Sequence, residues 1–379
     1  MKTTATTWMS LAVFALAVAT GWTAMAAGDR TAEFQVELSD PVAPTLPPRL
    51  YRVVQSTDAN GFPTGYALTF TTHVCVDEQC RMVKVTMHWD ALGYYERLEY
   101  PADTPLTKKK HVPFAAEDYA KLDQILKDRD SILGSQPLEI FGAPVPQPEA
   151  PGIDGWSGAT PQAVKDAVVD DAAYTSWTMW RWANGEIVPK LRGLTEQRCT
   201  PDYLRHLLQS NDRRAVDFAL KHITRHRPSD DQFADDVFHV LQTGDREHVS
   251  LSIQYLHRAM KDRRRLHDRL IDSYCRLNGN YSPLILDYLS SQEELPPGTL
   301  EGLTGILNQL PYFQIHLILR LLDKRAFFSE QVESDVAGLL DNPDFFIARR
   351  ASEHLMKQQL GSETQRKLDA FRQRYRQRL

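Results

Sequence analysis

Two neighbouring segments of the chain show strict alternation of apolar and polar residues. Apolar residues share one parity before a short loop and again after it: Leu68, Phe70 and Val74 precede it, and Val83, Val85, Met87 and Trp89 follow it. A period of two is the pattern of a strand buried on one face only, because successive side chains point to opposite faces. The two segments therefore predict an antiparallel hairpin.

The predicted loop of this hairpin begins and ends with a cysteine, Cys75 and Cys80. The register that brings the two cysteines face to face also pairs Thr72 with Val83, Phe70 with Val85 and Leu68 with Met87. In that register the apolar side chains share one face and the cysteines lie on the other, so a disulfide is geometrically reasonable in an oxidising compartment. Closing so small a loop adds roughly 2 kcal/mol in the chain-entropy model. A metal or redox pair is the weaker alternative, because no further cysteines or clear set of histidines accompany the two.

Further patterns around the hairpin predict a small α+β domain over residues 50–141, made of an antiparallel meander and a helix. Its other strands and turns are expected at Leu50–Ser56, Asp58–Gly61, Gly93 and Tyr94–Tyr100. These segments combine β-branched and aromatic residues with turn-forming ones. Apolar residues at helical spacing predict a helix over Ala115–Leu133. The preceding residues, 27–49, are expected to form an extended leader.

The second half of the chain repeats itself with a period of 33 residues. The repeated stretch is apolar and ends in a short polar turn, with its clearest copies at Leu207–Asp212, Val240–Asp245 and Leu339–Asp344. Two columns of core positions follow in register: Leu220, Ile253, Leu286, Leu319 and Ser352, and Ile223, Leu256, Leu289, Leu322 and Leu355. Each unit is amphipathic and can bury its apolar face only against its neighbours, which is typical of helix pairs stacked into an α-solenoid similar to HEAT-like repeats. An all-α solenoid is therefore predicted over residues 191–379.

The N-terminus has the features of a secretory signal peptide over residues 1–26. Lys2 gives a positive start, Trp8–Ala19 is an apolar run too short to span a membrane, and Ala24–Ala26 is a small-x-small cleavage site. We therefore expect export across the inner membrane to a periplasmic or other extracytoplasmic location, without a membrane span. The formal net charge of −5 argues against a nucleic-acid binder.

Residues 142–190 are expected to form a proline-rich linker, a short motif and a helix. Four prolines, Pro144, Pro146, Pro148 and Pro151, stiffen the first part. The motif at Asp154–Thr160 has the pattern D-x-x-S-G-A-T. A helix is predicted from Pro161 to about Ala183, because Thr160 suits the N-cap and proline suits the first helical position.

This motif resembles the site at which secreted flavoproteins of the FMN-binding-domain family carry FMN. It is similar to that of the periplasmic flavin subunits of the Rnf and sodium-pumping quinone reductase complexes. The resemblance covers Asp154–Thr160 and the helix after it, and more loosely the α+β unit before it. Two features of those subunits are missing: a glycine-rich segment earlier in the domain, and a threonine-serine pair just beyond the modified threonine, where this chain has Gln162-Ala163. The predicted solenoid has no counterpart in those subunits.

The resemblance implies a covalent cofactor on one threonine. In the family, a flavin transferase esterifies a threonine hydroxyl with the phosphate of FMN, and Thr160 occupies that position. The small residues before it would leave the backbone open for a large phosphoester, and the free N–H groups of the following helix suit a phosphate. Asp154 would be the acidic element that the transferase reads, and Trp156 would be the best stacking partner for the isoalloxazine ring. The implied site residues are Asp154, Trp156, Ser157, Gly158, Ala159 and Thr160.

The predicted function is therefore that of an exported electron carrier with FMN on a threonine, and the solenoid would dock it to a redox partner protein. It is an electron-transfer flavoprotein rather than a conventional enzyme, and no catalytic residue or metal ligand is assigned. The alternative is a cofactor-free extracytoplasmic scaffold that binds other proteins through the solenoid. A hydrolase acting through Ser157 ranks last, because no His/Asp arrangement is legible in the sequence.

Other chemically capable side chains are expected to be structural. The aromatic residues after the motif, among them Trp177, Trp180 and Trp182, are expected to pack at a helix junction rather than against the flavin. A metal site at His73 and His88 would need a third ligand that the pattern does not offer. Two further cysteines, Cys199 and Cys275, fall on predicted helices and are expected to be buried thiols, with a bridge between them left open.

Overall fold

The computed structural model describes residues 30–74, 82–101, 103–137, 166–277 and 279–378. The chain divides into two units, the first ending at Cys199 and the second beginning at Thr200. The first unit holds a five-stranded antiparallel sheet, and helices make up the regular structure of the second over the described ranges. An α+β unit followed by a helical region, as the sequence predicts, is therefore confirmed.

The sheet is a meander in which each strand pairs with the next along the chain. Its strands are β1 (Arg30–Leu38), β2 (Arg49–Thr57), β3 (Pro63–Thr72), β4 (Val83–Asp90) and β5 (Tyr95–Glu99). The turn between β2 and β3 is held by Asp58, whose Oδ1 accepts the N–H groups of Asn60 and Phe62. Gly61 takes a φ of 80° in that turn, a left-handed conformation that favours glycine.

The register of the β3–β4 hairpin is the predicted one. Thr72 lies opposite Val83, Phe70 opposite Val85 and Leu68 opposite Met87. All six of these side chains are buried on the same face. A slip by one residue would turn this whole set towards solvent, so burial alone specifies the pairing. The two cysteines that would continue the register, Cys75 and Cys80, lie outside the described residues.

The structure differs from the expected extended leader over residues 27–49 at Arg30–Leu38. Arg30–Leu38 is strand β1, and it pairs along its whole length with β2, from Arg30 opposite Thr57 to Leu38 opposite Arg49. The last two apolar residues of β1, Val36 and Leu38, are buried. They alternate with the polar residues Gln35 and Glu37, a period-two signal that was present in the sequence.

The first unit has three helices in its described part, α1 (Ala116–Lys127), α2 (Ala173–Asn184) and α3 (Ile187–Glu196). The helix expected over Ala115–Leu133 ends early, because Asp128 is extended and its carboxylate accepts the N–H of Asp130. Leu133 instead lies in a short 3-10 turn. Since α3 contributes to the core of the first unit, the second unit begins later than the expected residue 191.

The single helix expected from Pro161 to about Ala183 is interrupted. In the described part, residues 167–172 form turns, and α2 begins only at Ala173. Asp171 has a φ of 58°, which breaks a right-handed helix, and its carbonyl accepts the N–H of Lys109 at 2.7 Å. The Ser176 hydroxyl accepts the N–H of Val169 at 3.0 Å. These partners satisfy backbone groups that the continuous helix would have paired internally.

Helix α2 lies on the buried face of the sheet. Its Trp182 ring stacks on Phe70 with the ring centroids 4.2 Å apart. The indole N–H of Trp89 in β4 donates to the carbonyl of Ala183 at 2.7 Å, and the Thr175 hydroxyl donates to the carbonyl of Val74 at 2.9 Å. Eight of the twelve residues of α2 are buried, so this helix forms the centre of the first core.

The second unit contains helices in pairs over its described residues. They are α4 (Pro201–Leu208), α5 (Arg213–His226), α6 (Ala234–Thr243), α7 (Arg246–Ala259), α8 (Arg263–Tyr274), α9 (Pro283–Ser291), α10 (Thr299–Gly305), α11 (Tyr312–Arg325), α12 (Glu330–Gly338), α13 (Phe345–Leu355) and α14 (Ser362–Arg374). The even-numbered helices contact one another in succession, from α4 to α14. The odd-numbered helices do the same from α5 to α13, and each pairs with the even-numbered helix before it.

The repeated polar turn of the sequence lies inside these pairs and caps the second helix. Asp212, Asp245 and Asp344 are the N-caps of α5, α7 and α13, and each side chain accepts a backbone N–H of the first turn at 2.8–3.0 Å. Both predicted columns are buried throughout: Leu220, Ile253, Leu286, Leu319 and Ser352, and Ile223, Leu256, Leu289, Leu322 and Leu355. Helix α9 departs from the period, since it begins at Pro283 without a side-chain cap.

No disulfide joins the two remaining cysteines, Cys199 and Cys275. Cys199 is half-buried, whereas Cys275 is exposed. The expectation of a buried thiol is therefore wrong for Cys275, which follows the last residue of α8 as its C-cap.

Replacing Asp344 by alanine is expected to lower the free energy of unfolding of the second unit by about 1 kcal/mol, because α13 loses its N-cap acceptor. Asp344→Asn is the matched control, since asparagine caps as well as aspartate. The measurement is urea unfolding followed by far-ultraviolet circular dichroism, which reports the helices. Equal losses in both variants would mean that the charge, not the cap, stabilises the helix.

Candidate functional site

The residues of the predicted flavin site lie outside the described part of the chain. This holds for Asp154, Trp156, Ser157, Gly158, Ala159 and Thr160. The description stops at Pro137 and resumes at Asp166. What the structure gives is the environment of the two flanks of that segment.

Both flanks are attached to α2. Before the segment, the carbonyl of Gln136 accepts the indole N–H of Trp177 at 2.9 Å and a guanidinium N–H of Arg181 at 3.2 Å. That guanidinium also lies over the Trp177 ring, 5.0 Å from its centroid. After the segment, Val169 is fully buried and its N–H donates to Ser176 of the same helix. The segment with the motif therefore leaves and rejoins the core at one helix.

The tryptophans of α2 pack inside the protein, as the sequence analysis expects. Trp177, Trp180 and Trp182 are each at most 5% exposed. The indole N–H of Trp180 donates to the carbonyl of Asp128 at 2.7 Å, in the turn after α1. The backbone after that turn packs closely against the Trp180 ring, because a Cβ on Gly134 would lie 2.8 Å from it. These rings are core residues and leave no open face for a flavin.

The two histidines of the hairpin are far apart. His88 lies opposite Ala67 in the β3–β4 ladder. His73 follows Ala67 by six residues in the direction of β3, which places the two histidines roughly 20 Å apart at the usual rise per residue. His88 faces β5, where its Nε2 lies 3.2 Å from Glu99 Oε1 and its Nδ1 lies 3.3 Å from Arg97. A shared metal site at these two histidines is therefore excluded by the register.

A partly buried ionic cluster in the second unit was not visible in the sequence. His354 of α13 is fully buried, and its Nδ1 lies 2.7 Å from Asp323 Oδ1 of α11. Asp323 Oδ2 also lies 3.3 Å from Arg350 and 3.0 Å from Lys357. Burial lowers the pKa of His354. A His–Asp pair of this kind could orient a nucleophile, but His354 Nε2 has no hydrogen-bond partner among the described residues. The cluster therefore joins α11 to α13 without the third member that catalysis requires.

A second buried network surrounds Tyr288 of α9. Its hydroxyl lies 2.9 Å from His257 Nδ1 and 3.5 Å from His267 Nε2. The other ring nitrogen of His267 lies 3.4 Å from the Thr299 hydroxyl. Burial and the neighbouring Arg263 lower the pKa of His267 to about 4. The ring is therefore neutral at pH 7 and links three consecutive elements of the second unit.

The pKa of His267 makes the second unit sensitive to acid. Because its folded pKa lies below the unfolded value of about 6.5, the unfolded state binds the proton more readily, and stability falls as the pH drops below 6.5 towards 4. Between pH 7 and pH 5, the pKa difference of His267 should lower the free energy of unfolding by about 2 kcal/mol. In His267→Gln this part of the pH-dependent loss of stability should disappear. His239→Gln, at an exposed histidine, is the matched control and should lose as much stability as the wild type.

The measurement is urea unfolding at both pH values, followed by far-ultraviolet circular dichroism. Tryptophan fluorescence gives an internal reference for the first unit, since every tryptophan precedes Thr200. The same pH-dependent loss in His267→Gln as in the wild type would contradict the assignment.

Comparisons with protein-family models, with curated proteins and with solved structures find no match to this chain. No helix in the described ranges has the length and apolar character needed to cross a bilayer. Among the same residues there is no cluster of three or more histidine, cysteine, aspartate or glutamate side chains that could hold a metal ion. The function is therefore argued from the residues of the chain itself.

Proposed function

We propose that the protein is an exported electron carrier with FMN esterified to Thr160. The observation that carries the proposal is the motif Asp154–Thr160, D-x-x-S-G-A-T, downstream of a sequence with the features of a signal peptide. A flavin transferase would act on the chain after export to the periplasm or another extracytoplasmic space. The bound flavin would supply the redox chemistry, and the protein would hold and orient it.

Contacts in the first unit support this assignment indirectly. The chain on either side of the motif is fixed to α2, through Gln136 before it and Val169 after it. Since the tryptophans of α2 are buried, Trp156 remains the aromatic side chain proposed to stack on the isoalloxazine ring. The role of Gly158 and Ala159 would be to leave room for the phosphoester, and that of Asp154 to be read by the transferase.

For the second unit we propose an α-solenoid that docks a redox partner protein. The support is the succession of contacts within the even-numbered helices and within the odd-numbered helices, together with the 33-residue spacing of the Asp212 and Asp245 caps. Stacked pairs of this kind present one long surface made of equivalent positions. Electron transfer needs only a transient complex, for which such a surface is sufficient.

The same helical contacts favour a second candidate, a protein-binding scaffold without a cofactor. In that case the motif at Asp154–Thr160 would be only a capped helix start, and the helical unit would be the functional part. The two candidates differ in one measurable property, a covalent flavin.

Coexpression with a flavin transferase, followed by intact-mass measurement and fluorescence of the denatured chain on a gel, tests the proposal. The wild type should carry one FMN through an ester bond, and Thr160→Val should carry none, because the hydroxyl is lost. Thr31→Val, on the exposed side of β1, is the matched control and should keep the flavin. A colourless wild type that copurifies with a partner would favour the scaffold, and flavin retained in Thr160→Val would move the attachment to another residue.

A further inference from the structure

A cleft of about 320 Å³ opens in the first unit between the end of α1 and the junction of α2 with α3. Arg129 lines it from the turn after α1, Asn184 from the end of α2, and Arg192, Gly193 and Glu196 from α3. Its size is at the lower end of the range for clefts that bind small molecules.

Two arginines meet in this cleft on one aromatic ring. The guanidinium of Arg129 lies 4.3 Å from the centroid of Tyr94, and that of Arg192 lies 5.5 Å from it. Arg192 is held further by a hydrogen bond from its Nε to the carbonyl of Leu92 at 2.9 Å. Both guanidinium groups are therefore held at the same aromatic ring before any ligand arrives.

No ion pair joins Arg129 or Arg192 to a carboxylate among the described residues, although Glu196 contributes to the same lining and the charges of Asp90 and Asp130 act on Arg129. Arg129 also donates no hydrogen bond to any described residue, so its N–H groups remain available. Like charges repel each other, and an anion that contacts both guanidinium groups would offset that repulsion. Burial and the charge of Arg192 lower the pKa of Arg129, against the opposing effect of Tyr94, Asp90 and Asp130.

The amide of Asn184, which also lines the cleft, is fixed in place. Its Nδ2 donates to the carbonyl of Leu126 at 2.9 Å, and its Oδ1 is buried. The groups of the lining that suit a ligand are therefore the two guanidinium groups, and the complementary ligand is an anion.

We propose that this cleft binds a small organic anion, whose phosphate or carboxylate pairs with the guanidinium groups of Arg129 and Arg192. Planar guanidinium groups match both kinds of anion with paired, charge-assisted hydrogen bonds. The residues that line this cleft are not those of the motif Asp154–Thr160, so binding here does not depend on the flavin.

The test is isothermal titration of the full-length protein with glycerol phosphate and with citrate, at a constant ionic strength set by sodium chloride. Binding of one probe, or of both, is the expected result, and the preferred probe distinguishes a phosphate from a carboxylate ligand. Arg129→Gln should weaken that binding at least about tenfold, because charge-assisted bonds are lost. Arg49→Gln, which removes an exposed charge from β2, is the matched control and should bind as the wild type does.

Gly193 provides a test that leaves both cations in place. A Cβ on this helical residue would meet no atom within 4 Å, so Gly193→Ala should keep the fold and the binding, whereas Gly193→Leu should fill the cleft and abolish it. Circular dichroism verifies that the variants remain folded. The proposal is overturned if neither probe binds the wild type, or if Arg129→Gln and Gly193→Leu bind with unchanged affinity.

Discussion

The burial of α2 against the sheet is the constraint on which the first unit depends. The helix makes contacts across very long stretches of chain, with Trp89 reaching the carbonyl of Ala183 and Thr175 reaching that of Val74. A buried indole N–H without an acceptor is costly, so these bonds fix both the depth and the rotation of the helix. Helix α1, the turn after it and both flanks of the motif segment then take their positions from α2.

The sequence predicted the features that a single periodicity determines. The β3–β4 register follows from the alternation of residues such as Phe70 and Val85, and the buried columns of the second unit follow from the 33-residue spacing. The interruption before α2 could not be predicted, because Asp171 is held in its left-handed conformation by a bond from the distant Lys109. Strand β1 was missed although its apolar residues alternate with polar ones from Ala32 to Leu38, because its partner β2 follows only after the proline-containing stretch of residues 41–48.

The candidate sites likewise divide into those that a local sequence pattern reveals and those that only the fold brings together. The motif at Thr160 is contiguous and can be found by inspection of the sequence, and it stays a prediction. The cleft could not be found in that way, since Arg129 and Arg192 are far apart in the chain and come together only at the Tyr94 ring. The buried histidine networks around Asp323 and Tyr288 likewise join residues of successive helix pairs, which no local spacing reveals.

Contacts in the second unit are made almost entirely between neighbouring pairs, and the polar bonds have the same range: Gln242 with Ser273, Ser282 with Gln314, and Thr304 with Asp335. Stability in such an array is approximately a sum of local terms. If the stability of these helices is such a sum, adding or removing a complete pair would disturb only the pairs on either side of it, and the rest of the unit would keep its packing.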